Sequence, residues 1–73
     1  MLDLKWVSIR LTGFTFYDLR DTDNRILGWV RPREAGILCW IAADGMQPRD
    51  CPCTTLEEAK RFVETQYILS RGE

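Results

Sequence analysis

The side chains with the greatest chemical potential in this 73-residue chain are three cysteines, Cys39, Cys51 and Cys53. One proline separates Cys51 from Cys53, which is too short a spacing for an easy disulfide and differs from the Cys-x-x-Cys of zinc and redox sites. Together with Cys39 they could offer three thiolates to a metal, but no fourth ligand is evident. We therefore expect no metal site and interpret the cysteines as small buried residues that pack like apolar ones.

The sequence also lacks an evident group of catalytic residues. The chain has no histidine, which is the commonest general base. The run Asp18-Leu19-Arg20-Asp21 could suggest a carboxylate pair for acid/base chemistry, but no base or nucleophile stands beside it and it lies at a turn. We predict that the protein is not an enzyme and needs no cofactor.

Length and charge narrow the class of protein further. Residues 1–73 suffice for one small domain, and 45% hydrophobic with 29% charged residues is typical of a folded protein. The net charge of −1 provides no general attraction to nucleic acid or to an acidic membrane. No apolar run approaches the roughly 20 residues of a membrane span, and the N-terminus lacks signal-peptide features. We expect a cytoplasmic protein without a membrane partner.

One strong helix signal covers residues 54–64. Thr55 and Glu58 have the spacing of a capping box, and Thr54 with Glu57 repeats it one residue earlier, so the start is open by one residue. An apolar stripe follows at helical spacing, formed by Leu56, Ala59, Phe62 and Val63. The i,i+4 pairs Glu57–Arg61 and Lys60–Glu64 are expected on the solvated side. Extension to Tyr67 or to a stop at Gly72 is left open.

Four strands are predicted before the helix, at residues 4–11, 14–19, 25–31 and 37–43, because β-branched and aromatic residues alternate there between turn signals. The turns are Thr12-Gly13, residues 21–24, Pro32 to Gly36, and Asp44-Gly45. Pro32 should end the third strand, since it has no N–H for a ladder. Residues 46–53 form an irregular crossing or a short edge strand. The fold class is α+β, a four-stranded antiparallel meander packed on one C-terminal helix.

Pairing these strands through their turns sorts the side chains into two sides of the sheet. A two-residue loop at Thr12-Gly13 places Leu11 opposite Phe14, and a five-residue loop at residues 32–36 places Trp29 opposite Cys39. One side then holds Val7, Ile9, Leu11, Phe14, Phe16, Leu27, Trp29, Ile37, Cys39 and Ile41. The other holds Trp6, Ser8, Arg10, Thr15, Tyr17, Leu19, Ile26, Val30, Leu38 and Trp40. We expect the helix on the first side, which has the composition of a core.

The second side would then remain uncovered. A helix about 10 Å wide cannot cover both sides of four strands spaced about 4.8 Å apart. Trp, Tyr and Arg are enriched at interface hot spots, so this side is expected to bind protein, with the candidate residues Trp6, Arg10, Tyr17 and Trp40. The partner is another protein or a second copy in a homodimer. The alternative is that residues 46–53 or the C-terminal tail fold over that side.

Arginines near strand ends and turns offer a second hypothesis. They could contact phosphates and make the chain a nucleic-acid-binding accessory domain, with the candidate residues Arg10, Arg25, Arg31 and Arg33. Interspersed carboxylates largely cancel their charge, so solvated turns of mixed sign are the simpler interpretation.

Two resemblances concern function. The run Cys39-Trp40-Ile41-Ala42, Asp44-Gly45 and Thr55-Leu56-Glu57-Glu58-Ala59-Lys60 resembles the sheet-plus-helix unit of integrase arm-binding domains and plant ethylene-response-factor domains, which implies DNA binding through a sheet. This chain departs from them in having aliphatic residues where their strands alternate Arg and Lys. The whole chain, with residues 17–21, Leu27-Gly28-Trp29-Val30 and the helix start, is similar to small uncharacterised proteins of bacteriophages and prophages. That resemblance implies an accessory role in a host cell, often inhibition of a host protein by binding.

Overall fold

The computed structural model describes residues 3–34, 36–42 and 47–70. They form an antiparallel sheet with the strand order β1-β2-β3-β4-β5, followed by one helix, which confirms the predicted α+β fold. The elements are β1 (Lys5–Leu11), β2 (Phe14–Arg20), β3 (Ile26–Arg33), β4 (Gly36–Ile41), β5 (Arg49–Asp50) and α1 (Leu56–Ser70). The fifth strand is the short edge strand that was one alternative for residues 46–53. Within the described residues, no helix is both long and apolar enough to cross a membrane.

The first two turns follow the chemistry of their residues. Leu11 pairs with Phe14 as predicted, and Gly13 takes the positive φ of 91° that the two-residue loop needs. In the next turn the Asp21 carboxylate accepts backbone N–H bonds from Asp23 and Arg25 at 2.9 and 3.0 Å, while Asn24 has a φ of 66°. The predicted turn at Asp44-Gly45 and the predicted stop at Gly72 lie outside the described residues.

The predicted pairing of β3 with β4 is wrong by one residue. Arg33 pairs with Gly36, so two residues connect the strands instead of five, and Trp29 lies opposite Trp40 instead of Cys39. Because successive side chains point to opposite sides of a strand, this one-residue difference transfers every β4 side chain to the other side. The register of β2 with β3 also shifts between Leu19 and Arg20. Near this shift Leu27 is buried in the core, whereas Ile26 is 45% exposed.

Pro32 does not end β3, because it faces Ile37 within the β3–β4 ladder and the strand continues to Arg33. The effect of the N–H that Pro32 lacks is on the pairing of β3 with β2. The ladder between β2 and β3 stops at the pair Tyr17 and Val30, so Thr15 has no ladder partner in β3. A proline on the β2 side of β3 cannot donate the next hydrogen bond, and the two strands separate towards this end of the sheet.

Helix α1 begins after Thr55, the later of the two predicted caps. The Thr55 hydroxyl accepts from the Glu58 N–H at 3.2 Å and lies 3.2 Å from the Glu58 carboxylate, to which it donates. The Thr54 hydroxyl donates to the same carboxylate. These hydrogen bonds, the one from Thr55 first, lower the pKa of Glu58. The helix then runs to Ser70, beyond Tyr67, which is buried.

The predicted side for the helix is right for Leu27 and for the β4 residues Ile37, Cys39 and Ile41, which are in the core. It is wrong for the residues of β1 and β2 and for Trp29. A Cβ built on Gly28 would lie 2.9 Å from Val63 Cγ1, so the helix crosses the sheet on the side of Gly28 and Val30, opposite to Trp29. A residue without a side chain is what allows this close approach. The core between helix and sheet contains Leu19, Leu27, Val30, Ile37, Cys39, Ile41, Cys51, Ala59, Val63 and Tyr67.

The second charged pair of the helix is not on the solvated side as predicted. Lys60 lies 4.5 Å from the ring centroid of Tyr17 and 5.6 Å from that of Trp6. The indole N–H of Trp6 donates to the Glu64 carboxylate. Lys60 and Glu64 are both half-buried, so they join the helix to β1 and β2 instead of pairing in solvent.

Candidate protein-docking face

The side of the sheet that faces away from α1 is rich in apolar side chains. Leu11 and Phe14 are 49% and 36% exposed, and the others are half-buried by their neighbours within the sheet. Among the described residues, no helix or strand packs over this side. We call it the aromatic face and define it by Val7, Ile9, Leu11, Phe14, Phe16, Trp29, Arg31, Leu38 and Trp40.

Two ring contacts order the aromatic face. Trp29 and Trp40 stack with their ring centroids 6.3 Å apart, and Phe14 and Phe16 stack at 6.0 Å. A shallow cavity of 180 Å³ lies beside them, lined by Phe16, Trp29 and Arg31. Offset stacking of this kind holds aromatic rings in place, so the apolar surface is pre-ordered before any partner arrives.

Arg31 supplies an isolated positive charge within the aromatic face. Its guanidinium carbon lies 4.2 Å above the centre of the Phe14 ring. It takes part in none of the ion pairs that the described residues form, whereas Arg20 and Arg33 bind Asp18 and Asp50 at 2.9 and 2.7 Å. A guanidinium that stacks on an aromatic ring keeps its N–H donors available for a carboxylate.

A wider groove of 670 Å³ opens at the end of the sheet where β2 and β3 separate. Phe14, Tyr17, Arg31 and Arg33 are among the side chains that line it. The groove therefore follows from the proline that interrupts the β2–β3 ladder, and it adjoins the aromatic face at Phe14 and Arg31.

The Asp18–Arg20 pair lies at the opposite end of this side. Asp18 is 3% exposed, and its Oδ2 accepts from Arg20. Its Oδ1 and the Arg20 Nε have no hydrogen-bond partner among the described residues. Asp21 instead binds backbone N–H groups of its turn. The two carboxylates of the run 18–21 thus serve separate structural roles.

The structure separates the four residues predicted to bind protein. Trp6 and Tyr17 pack beneath Lys60 on the helix side, and strand alternation places the exposed Arg10 on that same side of β1. Only Trp40 belongs to the aromatic face. The prediction missed Trp29, Phe14, Phe16 and Arg31. The sequence does contain a signal for them. Gly28 and Val30 are small and flank Trp29, and a helix packs most closely over small residues, so the helix is expected on the side of Gly28 and Val30 and Trp29 on the other side.

The four arginines of the nucleic-acid hypothesis are also dispersed. Arg31 and Arg33 lie two residues apart on one side of β3, and Arg33 is bound to Asp50. Arg25 lies at the opposite end of the sheet beside Asp21 and Asp23, at 3.9 and 3.2 Å.

The cysteines lie at the β4–β5 edge, where Cys39 and Cys51 are buried and Cys53 is half-buried. All three are free thiols. Burial raises the pKa of Cys39, and burial together with hydrogen bonding to Cys53 raises the pKa of Cys51 to about 12. Within the described residues, no group of three or more Cys, Asp or Glu side chains is placed to hold a metal ion.

Comparison with known proteins does not assign the chain to a family. The chain matches no protein-family model, no curated protein and no solved structure. The resemblances to integrase arm-binding units and to phage proteins stay predictions, and the geometry of the aromatic face is the basis for inferring function.

Proposed function

We propose that this is a small binding protein that docks a protein partner on the aromatic face and carries out no catalysis. The observation that supports this is a set of apolar and stacked aromatic side chains on a side of the sheet that no described element covers. A large contiguous apolar surface on a small domain is typical of an interaction site, and Trp, Phe and Arg are the residues that concentrate binding energy.

The charge on the aromatic face indicates the chemistry of the partner. Arg31 lies against Phe14, Phe16 and Trp29, and no carboxylate of the described residues forms an ion pair with it. Covering it with a purely apolar surface would remove water from an unpaired guanidinium, which is unfavourable. The partner should therefore present an Asp or Glu flanked by apolar side chains, so that the carboxylate binds Arg31 as the apolar groups cover the rings.

The resemblance to phage proteins suggests which kind of protein is bound and in which compartment. In this proposal the partner is a host protein, the binding inhibits it, and the complex forms in the host cytoplasm.

Nucleic acid is the second candidate occupant. Stacked aromatic residues beside an arginine can accept bases as well as protein side chains. The observations favour protein, because Asp18 and Asp50 already occupy two arginines on this side of the sheet and the net charge is −1.

The test is selection of random peptides on immobilised protein, with variants that alter the aromatic face. Wild-type protein should enrich peptides in which an Asp or Glu is flanked by apolar residues. Phe16→Glu should lose these peptides, and Arg31→Glu should replace them with peptides that carry Lys or Arg. Arg61→Glu is the matched control, because Arg61 is exposed on the helix and equally charged, and it should bind as wild type does.

Two results would overturn the proposal. One is enrichment of the same peptides by wild type and Phe16→Glu, with both folded by circular dichroism. The other is tight binding of a labelled oligothymidine, longer than the roughly 4–16 nucleotides that one small domain covers, with affinity that falls steeply with salt and is lost in Phe16→Glu. That second result would transfer the function to single-stranded nucleic acid.

A further inference from the structure

Strand β1 forms one edge of the sheet, and its outer side has no partner among the described residues. It is seven residues long, whereas β5 at the other edge has only two. An edge strand of this length presents a row of backbone donors and acceptors that another strand can bind. β5 is too short to do the same.

The pairing of β1 with β2 fixes which residues face outward. Only two residues connect Leu11 to Phe14, so these two exchange both backbone hydrogen bonds. Hydrogen-bonded and non-hydrogen-bonded pairs alternate along an antiparallel ladder. The backbone N–H and C=O groups of Trp6, Ser8 and Arg10 therefore point away from β2, towards the open edge.

We infer that two copies of this chain pair through the outer edges of β1, antiparallel, with Ser8 opposite Ser8 of the second copy. In this register Trp6 of each copy lies opposite Arg10 of the other, so all three outward-facing residues find an outward-facing partner. Moving the register by two residues in either direction leaves at least one of the three without a partner. Hydrogen bonding alone thus favours the register with Ser8 opposite Ser8 over the shifted ones.

The side chains also fit this register. On the helix side Arg10 of each copy lies opposite the ring of Trp6 of the other, which allows a cation–π contact. The indole N–H of that Trp6 donates to the Glu64 carboxylate, so a negative charge lies near the Arg10 guanidinium. On the opposite side Val7 meets Ile9. Lys5 lies opposite Leu11, so the two cations of the strand do not face their counterparts. The exposed charges that ordinarily keep an edge strand apart are thereby separated from each other.

Pairing of this kind would join the two sheets into one. Val7, Ile9 and Leu11 are the β1 residues of the aromatic face. In the dimer Val7 and Ile9 of each copy meet Ile9 and Val7 of the other, and Leu11 meets Lys5. The two aromatic faces then lie side by side on one continuous sheet. The dimer does not depend on occupation of that face, because the interface is the strand edge.

Cysteine cross-linking tests the register directly. In the inferred dimer the two Ser8 Cα atoms are about 5.5 Å apart, as in any hydrogen-bonded antiparallel pair. That distance allows a disulfide, so Ser8→Cys should give a covalent dimer under mild oxidation. Arg10→Cys is the matched control, because its two copies would be four residues apart along the strands, more than about 13 Å, and should not cross-link. Wild-type protein controls for the native cysteines.

Mass measurements test the interface without new thiols. Sedimentation at increasing concentration should show wild-type protein approaching twice its 8.5 kDa chain mass. Ser8→Pro removes one outward donor, at an edge position that tolerates proline, and should remain a monomer, while Ser8→Ala keeps the donor and should dimerise. Phe16→Glu, which removes partner docking, should dimerise as wild type does.

Three results would overturn the inference: a monomer for wild type across the whole concentration range, a dimer that Ser8→Pro leaves intact, or equal cross-linking of Ser8→Cys and Arg10→Cys. None of these bears on docking at the aromatic face, so the two proposals fail independently. If Ser8→Pro does not fold, the comparison of the two cysteine variants decides alone.

Discussion

Trp29 lies directly opposite Trp40 in the β3–β4 ladder, and their rings stack with centroids 6.3 Å apart and planes 23° from parallel. Since Gly28 and Val30, the neighbours of Trp29, face the helix, this pair must lie on the other side of the sheet. The pair is therefore the clearest marker of the aromatic face, and its energetics can be measured in the isolated protein.

We expect Trp29 and Trp40 to stabilise each other. A double-mutant cycle with Trp29→Ala and Trp40→Ala should give a coupling of about 0.5–1.5 kcal/mol in the free energy of unfolding, as is typical of stacked rings. Urea denaturation of the four proteins measures it. The same cycle with Trp6 in place of Trp40 should give a coupling near zero, because Trp6 lies on the helix side. Equal couplings in the two cycles would contradict the assignment of the faces.

Replacing Gly28 by alanine should destabilise the fold. The added methyl group would lie 2.7 Å from the Trp40 carbonyl oxygen and 2.9 Å from Val63 Cγ1, so strand and helix would have to move apart. We expect a loss of about 1–3 kcal/mol, the usual range for overpacking a core. Thermal or urea unfolding measures the loss.

Val63→Ala provides the matched test of this contact. It removes one of the two clashing groups, so Gly28→Ala should be less destabilising in the Val63→Ala background than in wild type. Strict additivity of the two changes would show that the helix does not approach the sheet at Gly28.

The cap of α1 predicts a difference between two adjacent threonines. Thr55→Ala should lower the free energy of unfolding by about 1 kcal/mol, because the Glu58 N–H loses its acceptor. Thr54→Ala should have a smaller effect, since it loses only a side-chain bond to the same exposed carboxylate. Urea denaturation near neutral pH separates the two, and equal effects would contradict the assignment of Thr55 as the cap.

Acid should narrow the gap between wild type and Thr55→Ala. The pKa of Glu58 is lowered in the folded chain from its ordinary 4.5, so its ionised form is the one that folding favours. That contribution is present above pH 4.5 and is lost as the pH falls through the lower folded-state pKa. Part of the gap should persist, because the Thr55 hydroxyl still accepts from the Glu58 N–H. A gap that widens in acid would contradict the role of the carboxylate.

Alkali should destabilise the protein through Cys51. Burial raises the pKa of this thiol from 9.0 to about 12, so the unfolded chain releases the thiol proton first as the pH rises. The stabilising contribution is complete below pH 9 and is lost progressively towards pH 12. Urea midpoints measured stepwise across this window should fall more steeply for wild type than for Cys51→Ala, which controls for the other groups that titrate there. Parallel curves would contradict the burial of the thiol.

Local signals in the sequence predicted most of the secondary structure. Thr55 with Glu58 marked the helix start, Gly13 marked the first hairpin, and Asp21 with Asn24 marked the second turn, because each effect acts within a few residues. The burial of Cys39 and Cys51 was also predicted, and both belong to the core.

The candidate site could not be predicted in the same way. The side of the sheet on which a side chain lies depends on the exact number of residues in each turn, so one wrong turn length changes the side of every residue in the next strand. Pro32 predicts the end of β3 and hence a five-residue connection to β4, whereas in the structure it interrupts only the ladder with β2 and the connection has two residues. With a five-residue connection, Trp40 is predicted on the opposite side of the sheet from Trp29.

The kind of elements, their order and the α+β class can be read from the chain, since turn chemistry, capping and apolar periodicity are properties of neighbouring residues. Which side of the sheet the helix covers depends on packing between residues that are distant in the chain. Both sides carry enough apolar residues to attract a helix, and the choice depends on whether side chains leave room for it. Gly28 leaves that room beneath Val63, so the helix packs there, and no helix or strand of the described residues covers the aromatic face.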